Sequence, residues 1–334
     1  MNGEPLVRVE NLKVYFPVRK GVFGKVQYVK AVDGVDLDIG KGQIVTLIGE
    51  SGCGKTTLGK TIAGLIKPTS GKILFDGNDI SKMKKDEYLH YRKNVQIIHQ
   101  DPYSSLNPTK TVFYTISVFL KRWGIAHTRS QLIDKVSELL EIVGLHPAED
   151  FLFKYPHQLS GGQRQRVVIA RAISLNPKLI VADEPITMID VSLRIGILDL
   201  LLDLQKKFGS SYLFITHDFG AARYFTAKGG GLIAVMYLGN IVEIGPAEKV
   251  IQNPLHPYTK VLLSAVPVPD PEVSRKKKPI KLKSLDIPSP INPPSGCKFH
   301  TRCPYSLDRC SKDVPKLVEV EKNHWVACWL YKGG

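Results

Sequence analysis

The plainest chemistry in the chain lies in one run, Gly49-Glu50-Ser51-Gly52-Cys53-Gly54-Lys55-Thr56-Thr57. It satisfies G-x-x-x-x-G-K-[ST], a loop whose backbone N–H groups can converge on a phosphate because the glycines put no Cβ in the way. Lys55 is placed to reach β- and γ-phosphates, and the Thr56 hydroxyl to ligate Mg²⁺. The flanks give the match its meaning. Before it, Ile44-Val45-Thr46-Leu47-Ile48 is long enough for one buried strand. After it, Leu58, Ile62 and Leu65 recur at helical spacing, with Pro68-Thr69-Ser70-Gly71 as a stop. A helix opening on the loop adds unpaired donors and a positive dipole end. Strand, glycine loop and helix in that order imply a nucleoside triphosphate site. Cys53 opens the helix, where the dipole is expected to lower its thiol pKa; alkylation is expected to block nucleotide binding, with ATP protecting.

These residues need a scaffold, and the chain is patterned for one. Residues 6–16 read as a strand and Val18–Gln27 as a basic, glycine-containing loop. Val35-Asp36-Leu37-Asp38-Ile39 alternates with the period of a half-exposed strand, and Ile73-Leu74-Phe75 before Asp76-Gly77 reads as a hairpin. Residues 86–156 turn helical. There Thr128-x-x-Gln131 offers a capping box to the stripe Leu132, Val136, Leu139, Leu140 and Val143, which ends at Gly144. Alternation of strand and helix then resumes. Leu179–Ala182 ends on Asp183-Glu184, a helix runs over 192–208, and Tyr212–Thr216 ends on His217-Asp218. This pattern predicts a mostly parallel sheet with its chemistry at the carboxyl ends of the strands.

The bulk numbers bound the class. A chain of 334 residues suggests a principal domain with an appendage. Its 43% apolar and 23% charged content is that of a folded soluble protein. No apolar run approaches the roughly 18 residues of a membrane helix. Glu4, Arg8 and Glu10 replace a signal-peptide apolar region, so a cytosolic location is expected. The net charge of +15 suits a polyanionic partner (nucleic acid or an anionic membrane surface) as well as it suits a solvated basic face.

A second anion-facing element appears at Leu159-Ser160-Gly161-Gly162-Gln163, where a serine and two glycines open the next helix. One phosphate loop does not need two such sites. The economical explanation is a head-to-tail pair in which each chain's second site closes over its partner's γ-phosphate. With Asp183-Glu184 and His217, the chain from residue 6 to about 266 resembles the nucleotide-binding subunit of an ABC transporter. The resemblance implies an α/β P-loop NTPase (RecA-like) core with a β subdomain and a helical subdomain at about 86–160. It also implies an ATPase coupled to transmembrane solute transport.

Within that resemblance, Gly49 to Thr57 bind the phosphates of ATP, with Lys55 also catalytic. Asp183 holds Mg²⁺, through water, beside Thr56. Glu184 orients or deprotonates the attacking water. His217 contacts the γ-phosphate and stabilises charge in the transition state. Gln100 matches the family's glutamine loop and reaches Mg²⁺ or the water. Ser160, Gly161, Gly162 and Gln163 act on the partner's ATP, and Asp190 crosses the dimer interface. Phe16 is the first choice to stack on adenine, with Tyr15 and Tyr28 as alternatives.

Gln100–Pro108 and His256-Pro257-Tyr258-Thr259 narrow the likeness to the dipeptide/oligopeptide importer ATPases, and the long N-terminal loop with Glu50–Cys53 to the F-type subunit. The likeness implies a heterodimer with a second, D-type ATPase, two membrane permeases, an external solute-binding protein and a peripheral place on the cytoplasmic side of the membrane. Oligosaccharide import is the alternative. A soluble ABC-type ATPase acting on nucleic acid would show tandem ATPase domains or coiled-coil or zinc insertions; this chain shows neither, and no nucleic-acid partner is expected. Two departures stand out: Ile186-Thr187-Met188-Ile189 before Asp190, and Gly229-Gly230-Gly231, read as a reshaped surface loop.

The expected division is an ATPase domain over 1–255, a helix and Pro/Lys-rich linker over 256–296, and a cysteine tail over 297–334. Pro267, Pro269, Pro271, Pro279, Pro288, Pro290, Pro293 and Pro294 and the run Arg275–Lys278 mark the linker as extended and solvated. Cys297, Cys303, Cys310 and Cys328 follow with spacing C-x5-C-x6-C-x17-C. On chemistry alone, four thiolates suit zinc or an iron–sulfur cluster equally, with disulfides or free thiols as the remaining option. The tail also resembles the C-terminal extension of dipeptide importer ATPases, which implies a [4Fe–4S] cluster, with zinc as the alternative.

Overall fold

The computed structural model describes residues 4–19, 21, 25–265 and 280–331. Its strands, in chain order, are β1 (Val7–Arg19), β2 (Val26–Ile39), β3 (Ile44–Ile48), β4 (Ser70–Phe75), β5 (Asn78–Asp79), β6 (Val95–Ile98), β7 (Leu179–Asp183), β8 (Ser211–Thr216), β9 (Leu232–Tyr237), β10 (Asn240–Pro246), β11 (Val318–Glu321) and β12 (His324–Val326). Among the described residues they form two sheets, ordered β2-β1-β4-β5 and β11-β12-β10-β9-β3-β8-β7-β6.

In the larger sheet β9, β3, β8, β7 and β6 run parallel. β3, β7 and β8 are buried along their whole length, as continuous apolar runs covered on both faces should be. The antiparallel sheet follows alternation instead: Val35, Leu37 and Ile39 are buried while Asp36 and Asp38 are exposed. The β1/β2 ladder continues through Val18↔Gln27 and Arg19↔Val26. Within the basic loop expected over 18–27, Val18, Arg19, Val26 and Gln27 are therefore strand, because a hairpin ladder satisfies the backbone polar groups even where the side chains are exposed.

The helix after the phosphate loop, Lys55–Ile62, stops earlier than its spacing suggested. Gly64 adopts φ 68°, and its N–H and that of Leu65 bond the carbonyls of Thr61 and Lys60. That is a glycine-terminated helix end, and it leaves Leu65 exposed. The helices Val112–Arg122, Arg129–Ile142, Glu149–Leu152 and Gly161–Ile173 pack on one another, with the stripe Leu132, Val136, Leu139, Leu140 and Val143 inside. Thr128 and Gln131 form the expected reciprocal caps.

Two expectations for the second half are corrected. Gly229-Gly230-Gly231 is not a free surface loop: a Cβ at Gly231 would lie 2.3 Å from the Ile44 carbonyl oxygen, so only a glycine lets this backbone press on β3. The tail is not set apart from the ATPase either. β12 pairs antiparallel with β10 (Glu243↔Val326, Ile244↔Trp325), so the β11/β12 hairpin extends the main sheet. The prolines at 267, 269, 271 and 279 and the Arg275–Lys278 run lie outside the described residues. Residues 280–296 form no helix or strand, with Leu285 and Ile287 exposed as a solvated linker should be, but they also touch the β1/β2 sheet: the Pro290 carbonyl accepts the Lys30 N–H at 3.0 Å. Just beyond, Lys298 donates to Asp33 Oδ2 and to the Leu238 carbonyl, each at 2.8 Å.

Candidate active site

Adjacent parallel strands deliver the site. β3, β8, β7 and β6 lie side by side, in register through Ile48↔Thr216, Asp183↔Ile215 and Ile98↔Ala182. Their carboxyl ends therefore carry, at one edge, the phosphate loop after β3, His217 after β8, Asp183-Glu184 at the end of β7 and Gln100 after β6. A cavity of about 510 Å³ opens there. Phe16, Ser51, Gly52, Gly54, Lys55, Thr56, Thr57, Gln100, Glu184, Thr187 and His217 all line it, and so does Pro290.

The loop is shaped for a ligand. Gly54 sits at φ 107°, and a Cβ there would meet the Ala31 carbonyl oxygen at 2.0 Å. It opens the helix without any side-chain cap, so the first N–H groups are left to a bound group. The Lys55 ammonium, buried, rests on the carbonyls of Gly49 (2.8 Å) and Glu50 (3.0 Å). Thr56 Oγ1 donates to Asp183 Oδ1 at 2.9 Å. This pair is a hard oxygen donor set beside a phosphate loop, which fits Mg²⁺. Burial pushes the Asp183 carboxyl up, against the hydrogen bond from Thr56; a cation would draw it back to the ionised form.

Glu184 is held on all sides. Its backbone lies in the left-handed region at φ 48°, uncommon for a residue with a side chain, and its N–H donates to the Ile215 carbonyl at 2.9 Å. Its carboxylate accepts from Gln100 Nε2 at 3.0 Å and Thr187 Oγ1 at 3.1 Å, and lies 3.1 Å from His217 Nδ1. The arrangement presents a fixed carboxylate and an imidazole at the mouth of an anion-binding loop, a geometry suited to activating water against a phosphoryl group.

Of the three candidate aromatics, Phe16 lines the cavity, while the Tyr15 hydroxyl donates to Asp33 and Tyr28 is half exposed and outside the lining. Ser160 to Gln163 stay away from the cavity. Ser160 caps its own helix, accepting the Gln163 N–H at 3.3 Å while the Gln163 side chain accepts the Ser160 N–H at 3.0 Å. Asp190 is exposed at the start of the helix Val191–Phe208.

Three expectations need revision. The Cys53 thiol is buried in the core beneath the loop, and burial pushes its pKa up, outweighing the lowering by Lys55. The expected lowering by the helix dipole is therefore overturned by burial, which leaves the residue 4% exposed. The other cysteines do gather. Burial, with the thiols of Cys310, Cys328 and Cys303 nearby, pushes Cys297 up to about 12, and burial pushes Cys328 up to about 11. However, no set of three or more His, Cys, Asp or Glu side chains among the described residues is arranged to hold a metal ion. The expected [4Fe–4S] cluster or zinc is therefore not supported by the side-chain geometry. Thirdly, sequence reasoning missed the supports of the loop. The Tyr258 hydroxyl accepts the Glu50 N–H at 2.9 Å, and Thr187 braces Glu184. Tyr258 lay in a motif already singled out, but nothing in its spacing tied it to residue 50.

Comparison with known proteins agrees with this geometry. Residues 32–187 match the ABC transporter family, and residues 242–310 match the oligopeptide/dipeptide transporter C-terminal region. The chain is 46% identical over 332 residues to the oligopeptide transport ATP-binding protein AppF of Bacillus subtilis, covering 99% of this chain and 98% of that one. It is 43% identical over 326 residues to OppF of Salmonella typhimurium, an oligopeptide transport ATP-binding protein, covering 97% and 95%. Among solved structures it resembles cbiO1 from Clostridium perfringens, part of the ABC transporter complex cbiONQ (TM-score 0.62, 26% identity, 75% of this chain and 92% of that one). It also resembles the ATP-binding cassette MJ0796, solved as a dimer in a post-hydrolysis state with ADP and Pi (TM-score 0.61, 29% identity, 72% and 98%). Among the described residues no helix is long and apolar enough to cross a membrane. The chain belongs to the ATP-binding subunits of ABC transporters, in the oligopeptide/dipeptide group.

Proposed function

We propose that the chain is the F-type ATPase of a dipeptide/oligopeptide importer, seated peripherally on the cytoplasmic side of the membrane. The observation that carries the catalytic part of the reading is the convergence of Gln100, Glu184 and His217 with the Thr56–Asp183 pair at the mouth of the phosphate loop. In this reading Phe16 stacks on adenine, and the backbone from Gly49 to Thr57 cradles the phosphates. Lys55 leaves its resting carbonyls for the β- and γ-phosphates. Thr56 and Asp183, with Gln100 at hand, would hold Mg²⁺, which supplies charge neutralisation on the phosphoryl oxygens. Glu184 accepts a proton from the attacking water, and His217 steadies both the carboxylate and the γ-phosphate.

The partner reading rests on what this chain leaves open. Ser160, Gly161 and Asp190 do not line its own cavity, and Met188, Val191 and Ile195 beside them are 54%, 75% and 58% exposed. An apolar patch next to a helix N-terminus suits a second, homologous ATPase, whose nucleotide Ser160 to Gln163 would close. MJ0796, a chain of similar fold, is dimeric. Two permeases and an external binding protein complete the proposed importer. Peptide is preferred over oligosaccharide because AppF and OppF are named for oligopeptides.

For the tail, the cluster reading is kept as a proposal on its donor chemistry. Each of the four sulfurs accepts a backbone N–H: Cys297 from Phe299, Cys303 from Tyr305, Cys328 from Leu330, and Cys310 from Leu307 at 3.4 Å. Such bonds favour thiolate over thiol, against the burial that pushes the thiols up. Anaerobically purified protein should absorb broadly near about 400 nm; a colourless protein with stoichiometric zinc would refute the cluster.

Glu184→Gln tests the central reading. It should keep ATP binding and trap the closed pair while turnover falls about a thousandfold. Undiminished hydrolysis would place the base elsewhere. Purification from membranes in mild detergent should bring the permeases along; recovery only with nucleic acid or ribosomes would overturn the importer reading.

A further inference from the structure

The second residue of the phosphate loop is a carboxylate, Glu50, in a loop built to receive anions. A free negative charge there would oppose bound phosphate and attract Lys55, whose ammonium already lies 3.0 Å from the carbonyl oxygen of the same residue. The Glu50 carboxylate is not free. Arg302 grips it with both ends of its guanidinium, NH1 to Oε2 at 2.9 Å and NH2 to Oε1 at 3.1 Å. The Arg302 side chain is 6% exposed and Glu50's 23%. The guanidinium also lies 5.8 Å from the ring centres of both Tyr237 and Phe299. A buried two-pronged fork of this kind is specific to arginine.

Arg302 sits between Cys297 and Cys303 in the tail, more than 250 positions from the loop in sequence. We propose that Arg302 is a positioning residue of the nucleotide site, masking the charge of Glu50 and pulling its side chain off the phosphate path. The cysteine tail then belongs to the nucleotide site of its own chain. Arg302 sets the side chain of Glu50 from the tail, while Tyr258 holds its N–H from the helix Pro257–Ala265. This inference rests on the reading of the loop as the ATP site.

The test is a double-mutant cycle on the full chain, read as calorimetric titrations with ATP, ADP and AMP at fixed low salt. Arg302→Met should weaken ATP binding about tenfold, the effect of one unmasked carboxylate near the phosphates. In a Glu50→Gln background, the same Arg302→Met change should cost less than about threefold. The loss should also shrink from ATP to ADP to AMP, as phosphate charge is removed. Arg302→Lys, which keeps the charge without the fork, should fall between, and it serves if the methionine variant does not fold. Equal losses in both backgrounds, or equal losses for all three nucleotides, would mean that Arg302 only packs the tail, and would overturn its proposed role. An unsubstituted chain that binds no ATP would overturn the nucleotide-site reading itself.

Discussion

Two helix N-termini in this molecule suit anions, and they are finished in opposite ways. The helix Lys55–Ile62 starts from Gly54 with no side-chain cap, faces a cavity, and has its loop braced by Tyr258 and Arg302. The helix Gly161–Ile173 starts from an exposed Ser160 and is closed on itself by the Ser160–Gln163 box. An uncapped N-terminus leaves its donors unsatisfied and favours a ligand in the same chain; a capped one is stable in water and can wait for a ligand brought by another chain. Part of the difference is local, a glycine against a Ser-x-x-Gln box, and part lies in the surroundings.

The sharpest break of this contrast is Lys55→Ala. It should lower turnover about a thousandfold and weaken ATP binding by the isolated chain, because the ammonium is the loop's own charge. Ser160→Arg should lower turnover of the assembled pair a few hundredfold, roughly the loss of one donor at the transition state. Titration of the isolated chain with ATP should not register that change. If Ser160→Arg weakened ATP binding by the isolated chain, the second N-terminus would serve its own nucleotide and the contrast would fail.

Acid should loosen the first N-terminus and spare the second. His256 is fully buried, and burial lowers its pKa to about 4. As a neutral ring its Nδ1 accepts the Tyr258 N–H at 3.0 Å. A depressed imidazole pKa means the unfolded chain binds the proton more readily. The stability is therefore fully present above pH 6.5 and is lost as pH falls toward 4, by on the order of 3 kcal/mol. Urea unfolding at pH 7 and pH 5 should show much of this loss, and His256→Gln should flatten the dependence. The smallest effect is expected from Thr128→Ala, which opens an ordinary capping box in the helical region. It should cost about 1 kcal/mol in urea unfolding and leave ATP affinity alone, as a cap with no ligand to serve should.

Much of the site was legible residue by residue. The phosphate loop, Asp183-Glu184, His217 and Gln100 each follow a short apolar run, and a buried parallel strand needs only such a run to announce itself. The boundaries were less legible. Leu65 keeps the helical period beyond the Gly64 stop, and Val18–Gln27 reads as a loop because it is basic and contains glycine, whereas the pairing of Val18, Arg19, Val26 and Gln27 is a backbone property. Cys53 was misjudged for a related reason. Position at a helix start predicts a lowered thiol pKa, but the position says nothing of the core that buries it, and desolvation outweighs the neighbouring ammonium.

The sequence by itself determined the candidate chemistry: which loop matches a phosphate cradle, which carboxylates and imidazole follow the strands, and which second loop opens a helix with a serine and two glycines. Local spacing suffices for these because each is specified within one strand–loop–helix unit. Only the tertiary structure decided that the tail's β11/β12 hairpin extends the core sheet, that Tyr258 and Arg302 brace Glu50, and that Ser160 to Gln163 stand apart from the cavity. Those are contacts between segments far apart in the chain. Their partners are set by sheet order and packing, and no periodicity in a single stretch records them.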